Sequence, residues 1–270
     1  MQLTAQLTHP STVSIFDYGR TPLGIFYYAM ELLDGLNLAQ LVTRDGPQPD
    51  GRVVRILTQV CGALAEAHGV GLIHRDIKPA NIILSVRGGV ADVATVVDFG
   101  LVKQLDPGDG DLTQAVTASN VVTGTPLYVA PEVIKGDSAA DARSDLYAVG
   151  AVGYYLLTGL PVFEAKTVVE IFAHHLHTPP TPPSDRTTRP IPAPLETVIL
   201  ACLSKDPANR PRDARALADL LAACDSGDWD ETLAAEWWVR YREQPGPTTI
   251  PADDLAEGLP TMDVDLERRR

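Results

Sequence analysis

The chain is poor in cysteine and in long apolar runs, and each shortage excludes a class of protein. Its three cysteines, Cys61, Cys202 and Cys224, are too few and too far apart for a disulfide framework or a CxxC zinc site. This usage fits a reducing compartment, so we expect a cytoplasmic protein. The longest apolar run, Leu146 to Leu157, is interrupted by glycines and shorter than the roughly 18–20 residues that cross a bilayer. We therefore expect no membrane span.

Positive charge is also scarce. The formal net charge is −13, from 22 lysines and arginines against 35 aspartates and glutamates. Such a balance argues against nucleic acid or an anionic membrane as the main partner. We expect no secretory signal either, because Met1 opens a polar, uncharged stretch without an apolar region.

The sequence does contain a group of polar and charged residues beside two short β-branched runs. Asp76, Lys78 and Asn81 precede the first run, and Asp98 follows the second, across a glycine turn. A hairpin of this kind brings all four side chains to one edge. Phosphoryl transfer needs such a set: an acid to receive the hydroxyl proton, a cation on the γ-phosphate and oxygen ligands for magnesium. A charged loop beside a buried hairpin is the alternative, and a chance match is expected about once in 10,000 chains.

Two motifs in this stretch resemble those of the protein kinases. His74-Arg75-Asp76, with Asn81 five residues after Asp76, resembles their catalytic loop, and Asp98-Phe99-Gly100 resembles their magnesium loop. Lys78 is typical of the serine/threonine branch. Further family positions are matched by Gly124-Thr125, Ala130-Pro131-Glu132, Asp145 and Arg210. The order and spacing fit from His9 to about Ala223, and the linking sequence is most similar to bacterial members of the eukaryotic-like kinases.

The resemblance implies an α+β, protein-kinase-like fold, mainly the helical C-terminal lobe with two remaining small-lobe strands. Residues 1–33 would be a remnant of the small lobe, with the end of a helix, two strands and the hinge. Residues 34–224 would form the helical lobe. Residues 225–270 would be an acidic, tryptophan-containing tail, with a helical stretch that docks on the large lobe or binds a partner. Beyond residue 245 the composition predicts disorder.

Periodicity and turn signals predict most of the elements. The last two helices, Leu195–Leu203 and Ala214–Ala223, are implied by the resemblance. Three histidines near residue 175 are expected to form a solvated helix end rather than a metal site, because no acid or cysteine accompanies them. The predicted strands are Val13–Tyr18 and Ile25–Leu33, and the predicted helices are Leu38–Arg44, Asp50–His68, Asp141–Leu157, Lys166–His177, Leu195–Leu203 and Ala214–Ala223.

The same resemblance implies ATP and Mg²⁺ as cofactors and a serine or threonine of a protein as the phosphate acceptor. Asp76 would accept the hydroxyl proton and Lys78 would contact the γ-phosphate, while Asn81 and Asp98 would bind magnesium. Asn81 is therefore expected to be both a catalytic residue and a metal ligand.

Four residues are expected to bind the nucleotide. The backbone of Glu31 and Leu33 would bond to adenine, Met30 would close the back of the pocket, and Ile83 would form the floor beneath the ring. Plain core filling is an equal alternative for Met30 and for Ile83.

Regulatory and structural roles follow from the resemblance as well. Residues 101–125 would form an activation loop, with Thr117 and Ser119 as autophosphorylation sites whose phosphate pairs with Arg75 and Lys103. Thr125 would help to dock the substrate. The residues expected to support the site are His74, Phe99, Asp145 beneath the catalytic loop, and Glu132 in a buried ion pair with Arg210.

The resemblance fails at the phosphate-binding side of the small lobe. Kinase chemistry needs a glycine-rich loop, a lysine on the third strand and a glutamate that pairs with it. This chain has no G-x-G-x-x-G, and its first lysine is Lys78. In that family the glutamate stands nine residues before the histidine of a His-Pro pair, which is His9-Pro10 here. Counting back from His9 places the expected glutamate just ahead of Met1. We therefore expect residues 1–270 alone to be a poor kinase, and an upstream extension of about 60–90 residues to restore activity.

Two hypotheses remain open on the sequence. In the first, the chain is a serine/threonine kinase recorded without most of its small lobe. In the second, it is a non-catalytic kinase-like module that binds partners. The first is favoured because Asp76, Lys78, Asn81 and Asp98 are all present. Small-molecule phosphotransferases share the acidic loops but lack the docking segment that ends at Glu132.

Overall fold

The computed structural model describes residues 4–20, 26–99, 125–137, 141–224, 227 and 229–243. Some residues with predicted roles lie outside this part of the chain: Gly100, Lys103, Thr117 and Ser119. The side chain of Thr125 is outside it as well.

A two-stranded antiparallel hairpin opens the described chain. Strand β1 (Ile15–Arg20) pairs with β2 (Phe26–Met30), where two strands were predicted. Strand β1 is shifted by two residues from its predicted position, and β2 ends three residues earlier than predicted. Pairing continues irregularly past the end of β2, because the Glu31 N–H donates to the carbonyl of Ser14 at 3.0 Å. The helix end predicted at the start of residues 1–33 is, in its described part, a single 3₁₀ turn, Thr4–Gln6.

A second, three-stranded antiparallel sheet carries the polar stretch. Its order is β3 (Gly35–Asn37), β4 (Ile82–Arg87) and β5 (Val90–Val96). The β4–β5 turn is Gly88-Gly89, where both residues have positive φ, 56° and 84°. A two-residue hairpin turn of this hand needs positive φ at both positions, which glycine adopts without strain. The first hairpin joins this sheet where the Val96 N–H donates to the carbonyl of Ser11 at 2.8 Å.

Helices form the larger part of the described molecule. The first of them, α1, is capped reciprocally, since Asn37 accepts from the Gln40 N–H at 2.8 Å and Gln40 accepts from the Asn37 N–H at 2.9 Å. The helices are α1 (Leu38–Asp45), α2 (Asp50–Gly69), α3 (Pro131–Ile134), α4 (Arg143–Thr158), α5 (Val168–His177), α6 (Ala193–Cys202), α7 (Ala214–Ala222) and α8 (Glu231–Glu243). No helix in the described part is both long and apolar enough to cross a membrane.

Helix α4 lies at the centre of the core and is buried on nearly all sides. A helix that is apolar all round must be surrounded by other elements, and α4 packs against α2 and α6. Close approach to α6 depends on Gly150, because a Cβ built there would lie 2.5 Å from the Cβ of Cys202.

Gly150→Ala is expected to lower the free energy of unfolding by about 1–3 kcal/mol, because α4 and α6 must separate to admit the methyl group. Chemical denaturation measures this change. Gly69→Ala, at the end of α2, is the matched control, since an added Cβ there meets nothing within 4 Å. Equal effects of the two substitutions would show that the α4–α6 contact is not tight.

The tail segment packs against the helical lobe through the carboxylate of Asp92. This buried carboxylate accepts from Arg52 through Nε (2.9 Å) and Nη2 (2.8 Å). It also accepts from the indole N–H of Trp229 at 2.9 Å and of Trp238 on α8 at 2.8 Å. We call these four residues the tail clamp. A buried charge requires such full pairing, so the clamp joins α8 to α2 and β5.

Aromatic rings of the tail also cover arginines of the lobe. The guanidinium of Arg52 lies 4.0 Å from the ring centroid of Trp237, and that of Arg44 lies 4.6 Å from the ring of Tyr241. The Trp237 indole N–H donates to Asp45 at 2.8 Å. Stacked cations of this kind add to the apolar burial of the rings.

The prediction of a solvated histidine cluster is wrong for His175. Its side chain is fully buried on α5, bonds through Nδ1 to the Tyr147 hydroxyl at 2.7 Å, and contacts the edge of the Phe163 ring. Burial, together with the positive charge of Lys205, lowers the pKa of His175 to about 3. The neutral ring therefore belongs to the core.

Candidate active site

The loop from His74 to Asn81 is fixed from below by Asp145 on α4. Its buried carboxylate accepts from the His74 N–H at 2.9 Å and the Arg75 N–H at 2.8 Å, and it bonds to Nε2 of His68 at 2.8 Å. Arg75 has a φ of 64°, which is strained for a side chain with a Cβ. The two backbone bonds to one carboxylate keep it in that conformation. The sequence predicted Asp145 beneath this loop but missed His68, which stands on α2.

His74 links the two polar groups of the site. Its ring is buried, and Nε2 lies 3.0 Å from the Val97 carbonyl while Nδ1 accepts from the Asp76 N–H at 3.2 Å. Burial lowers the pKa of His74 despite the nearby acids. Because Nδ1 accepts, the single proton of the neutral ring is on Nε2 and is donated to Val97. The ring also packs against Phe99, with centroids 4.7 Å apart.

Asp76, Lys78 and Asn81 converge within the loop. The Lys78 Nζ lies 3.1 Å from Asp76 Oδ2, and the Asn81 side-chain N–H donates to that same oxygen at 3.0 Å and to the Asp76 carbonyl at 2.9 Å. These contacts fix the direction of the half-exposed carboxylate. Since the amide nitrogen of Asn81 is used in this way, its amide oxygen is the atom suited to a metal ion.

Asp98 follows β5 in a left-handed conformation, with a φ of 61°. It is brought next to the loop by the Val97 N–H, which donates to the Asn81 carbonyl at 3.0 Å. Its Oδ1 accepts from the Tyr28 hydroxyl at 3.1 Å. Burial, together with the charge of Asp98, raises the pKa of Tyr28 to about 12, so this hydroxyl keeps its proton.

The donor set fits magnesium better than a softer metal. Asn81 and Asp98 offer amide and carboxylate oxygens, and magnesium is typically bound by one or two carboxylates together with substrate phosphates. Within the described residues no three His, Cys, Asp or Glu side chains gather as an all-protein metal site.

The predicted adenine-binding residues come from two parts of the fold, since Met30 ends β2 and Leu33 follows it, whereas Ile83 lies on β4. Met30 is 41% exposed. Ile83 is half-buried between the fully buried Ile82 and Leu84, which places it on the opposite face of β4 from the core. Leu33 is half-buried.

Glu31 has a structural role at its side chain. The carboxylate binds Arg87 at 2.7 Å and accepts from the Ser14 N–H at 2.8 Å. Because its N–H is also bonded to Ser14, the carbonyl is the backbone atom of Glu31 suited to an adenine amine.

The segment after Thr125 is tied to the helical lobe by a buried ion pair. Arg210 donates to Glu132 through Nη1 at 2.7 Å and Nη2 at 2.8 Å, and Ser144 donates to the same carboxylate at 2.8 Å. Burial acts to raise the pKa of Glu132, but the bonds from Arg210 outweigh it and hold that pKa below its usual range. A cavity of ≈ 20 Å³ lies between this segment and the loop, lined by Asp76 and Tyr128 among others.

Known proteins are similar to this chain over most of its length. The family model described as "Protein kinase domain" matches residues 1–221. The serine/threonine-protein kinase Pkn3 of Myxococcus xanthus is 44% identical over 223 residues, which are 82% of this chain and 40% of Pkn3. PknB of Mycobacterium tuberculosis is 39% identical over 224 residues, 82% of this chain and 34% of PknB. The chain thus spans well under half the length of these relatives.

A solved structure shows the same fold. The crystal structure of the Mycobacterium tuberculosis PknI kinase domain is 29% identical and aligns with a TM-score of 0.60, covering 82% of this chain and 74% of that one. The α+β fold class expected from the motifs is therefore confirmed.

Proposed function

The chain belongs to the protein kinase family, and from that premise we propose that it transfers the γ-phosphate of ATP to serine or threonine hydroxyls of proteins. The observation that carries this proposal is the placement of Asp76 beside Lys78 and Asn81, with Asp98 joined to them through the bond between Val97 and Asn81. The catalytic acid, the cation, the amide and the second acid therefore lie at the same end of the β4–β5 strand pair.

Asp76 is arranged to receive a proton. Its Oδ2 is occupied by Lys78 and Asn81, which leaves Oδ1 to orient a substrate hydroxyl and to take its proton as the oxygen attacks. Lys78 is close enough to Asp76 to contact the transferring phosphoryl group of a substrate bound there.

Asn81 and Asp98 would hold magnesium through their side-chain oxygens. When bound, the ion neutralises charge on the phosphates. The bond from Asn81 to Asp76 sets the direction of the Asn81 side chain before any nucleotide arrives. Such preorganisation avoids reorganising the site during transfer.

The acceptor, partners and location are part of the same proposal. The relatives named as serine/threonine-protein kinases support a hydroxyl acceptor on a protein, and Lys78 agrees with that branch. We propose a signalling role in the cytoplasm, with adenine bound near Glu31, Leu33 and Ile83. A phosphorylated Thr117 or Ser119 paired with Arg75 and Lys103 belongs to this proposal as well.

Asp98→Asn in the full-length protein tests the proposal. Transfer of labelled phosphate from Mg·ATP to a protein substrate is expected to fall by at least about 100-fold, since a metal ion supplies several kcal/mol to such transition states. Asp219→Asn, the same change on the exposed face of α7, should have no effect. Near wild-type transfer by Asp98→Asn would refute the site. Absence of transfer and of Mg·ATP binding in a folded wild type would favour the partner-binding module.

A further inference from the structure

The hydroxyl of Tyr28 makes a contact that the proposed reaction does not by itself require. Tyr28 stands on β2, in the first hairpin, and its hydroxyl donates to Asp98 Oδ1 at 3.1 Å across 70 residues of sequence. Its neighbour across the strand pair is Tyr18, and its side chain is 41% exposed. The residue is therefore not a core element whose ring is needed to fill the interior.

We propose that Tyr28 is a positioning residue that sets the orientation of the Asp98 carboxylate for magnesium. This inference rests on the proposed function, and it assigns to the hairpin a part in binding the metal. One carboxylate oxygen, Oδ1, accepts from a neutral donor, and the other, Oδ2, would bind the ion. A neutral donor does not cancel the negative charge that attracts magnesium.

Asp98 needs such a partner because its own torsion is weakly determined. The final side-chain torsion of an aspartate is broad and roughly two-fold, so the backbone alone does not fix where its oxygens point. Asp98 also lies two residues beyond the last residue of β5, outside the strand pairing. Hydrogen-bond partners behind a metal ligand typically contribute about 10–100-fold to metal affinity.

The hairpin that carries Tyr28 is anchored well enough to act in this way. The Val13 N–H donates to the Val96 carbonyl at 3.2 Å, two residues before Asp98. Arg87 on β4 binds both Glu31 at 2.7 Å and the Pro10 carbonyl at 3.1 Å. These contacts fix β2 relative to β5, and hence the hydroxyl relative to the carboxylate.

Tyr28→Phe tests the proposal because it removes only the oxygen. We expect the magnesium concentration for half-maximal transfer by the full-length protein to rise about 10–100-fold. The rate at saturating magnesium should approach that of wild type. Calorimetric titration of magnesium into the protein with a non-hydrolysable ATP analogue should show the same loss of affinity without turnover. The melting temperature without magnesium should not change.

Tyr27→Phe is the matched control, since the Tyr27 hydroxyl donates to Asp17, at 3.5 Å, rather than to Asp98. Equal magnesium affinity in wild type and Tyr28→Phe would overturn the positioning role while leaving the proposed function intact. Weakened affinity in Tyr27→Phe as well would also overturn it, because the effect would belong to the hairpin in general. A wild type that binds no magnesium with nucleotide would overturn both proposals.

Discussion

Asp76→Asn is expected to lower the rate of phosphotransfer by about 10²–10⁴-fold in the full-length protein. The asparagine keeps the shape of the side chain and an oxygen for the bonds from Asn81 and Lys78, but it cannot take up the hydroxyl proton. Single-turnover measurement with saturating Mg·ATP isolates the chemical step. Binding of nucleotide should persist, because Asp76 is not among the expected adenine or magnesium ligands.

The fold of this variant should be unchanged. Asp76 is half-exposed, so the substitution leaves no buried charge without a partner. Retained transfer together with a wild-type melting temperature would show that another group accepts the proton. Loss of transfer in the surface variant Asp219→Asn as well would point to a general effect of charge.

Arg210→Met is expected to destabilise the protein by about 3–5 kcal/mol, because the Glu132 carboxylate would stay buried without its partner. The wild-type arginine also donates to the carbonyls of Ser204 and Arg143, each at 2.9 Å, so their bonds are lost too. Urea denaturation at neutral pH measures the change. Arg212→Met is the control two residues on, since that side chain is 83% exposed and should contribute less than about 0.5 kcal/mol.

The cost of Arg210→Met should depend on pH. In the wild type the folded pKa of Glu132 lies below its ordinary value of 4.5, so the pair stabilises the fold above about pH 4.5 and this contribution is lost as the pH falls further. In the variant, burial without the arginine raises that pKa, and protonation relieves the unpaired charge. The difference in unfolding free energy should therefore narrow in acid. A difference independent of pH would mean that packing, rather than the carboxylate, sets the cost.

Features determined by neighbouring residues could be predicted from the sequence. The apolar stripe of α2 predicted a helix over 50–68, and the structure has one over Asp50–Gly69. The predicted strand pair also forms, because a turn between two β-branched runs leaves few other pairings. Family spacing placed Asp145 and Arg210 where the structure has them, beneath the loop and against Glu132.

Contacts between distant segments could not be predicted in the same way. Nothing near Tyr28 in the sequence indicates that its hydroxyl reaches Asp98, because that distance depends on how the hairpin packs on the second sheet. His175 resembled a solvated helix end, since only the tertiary fold supplies the Tyr147 hydroxyl as its partner. Asp92 likewise gave no signal as a buried acid, because its four hydrogen bonds come from two distant parts of the chain, Arg52 and the tail segment.

The tail clamp also determines what the intrinsic fluorescence of this chain reports. All three tryptophans of the chain, Trp229, Trp237 and Trp238, lie in the tail segment, and each indole N–H is bonded to a carboxylate of the lobe. The lobe itself contributes no indole. Intrinsic tryptophan fluorescence therefore senses whether the tail is docked, and its emission moves to longer wavelength when the indoles meet water. Movements of the hairpin or of the catalytic loop that leave the tail in place do not change this fluorescence.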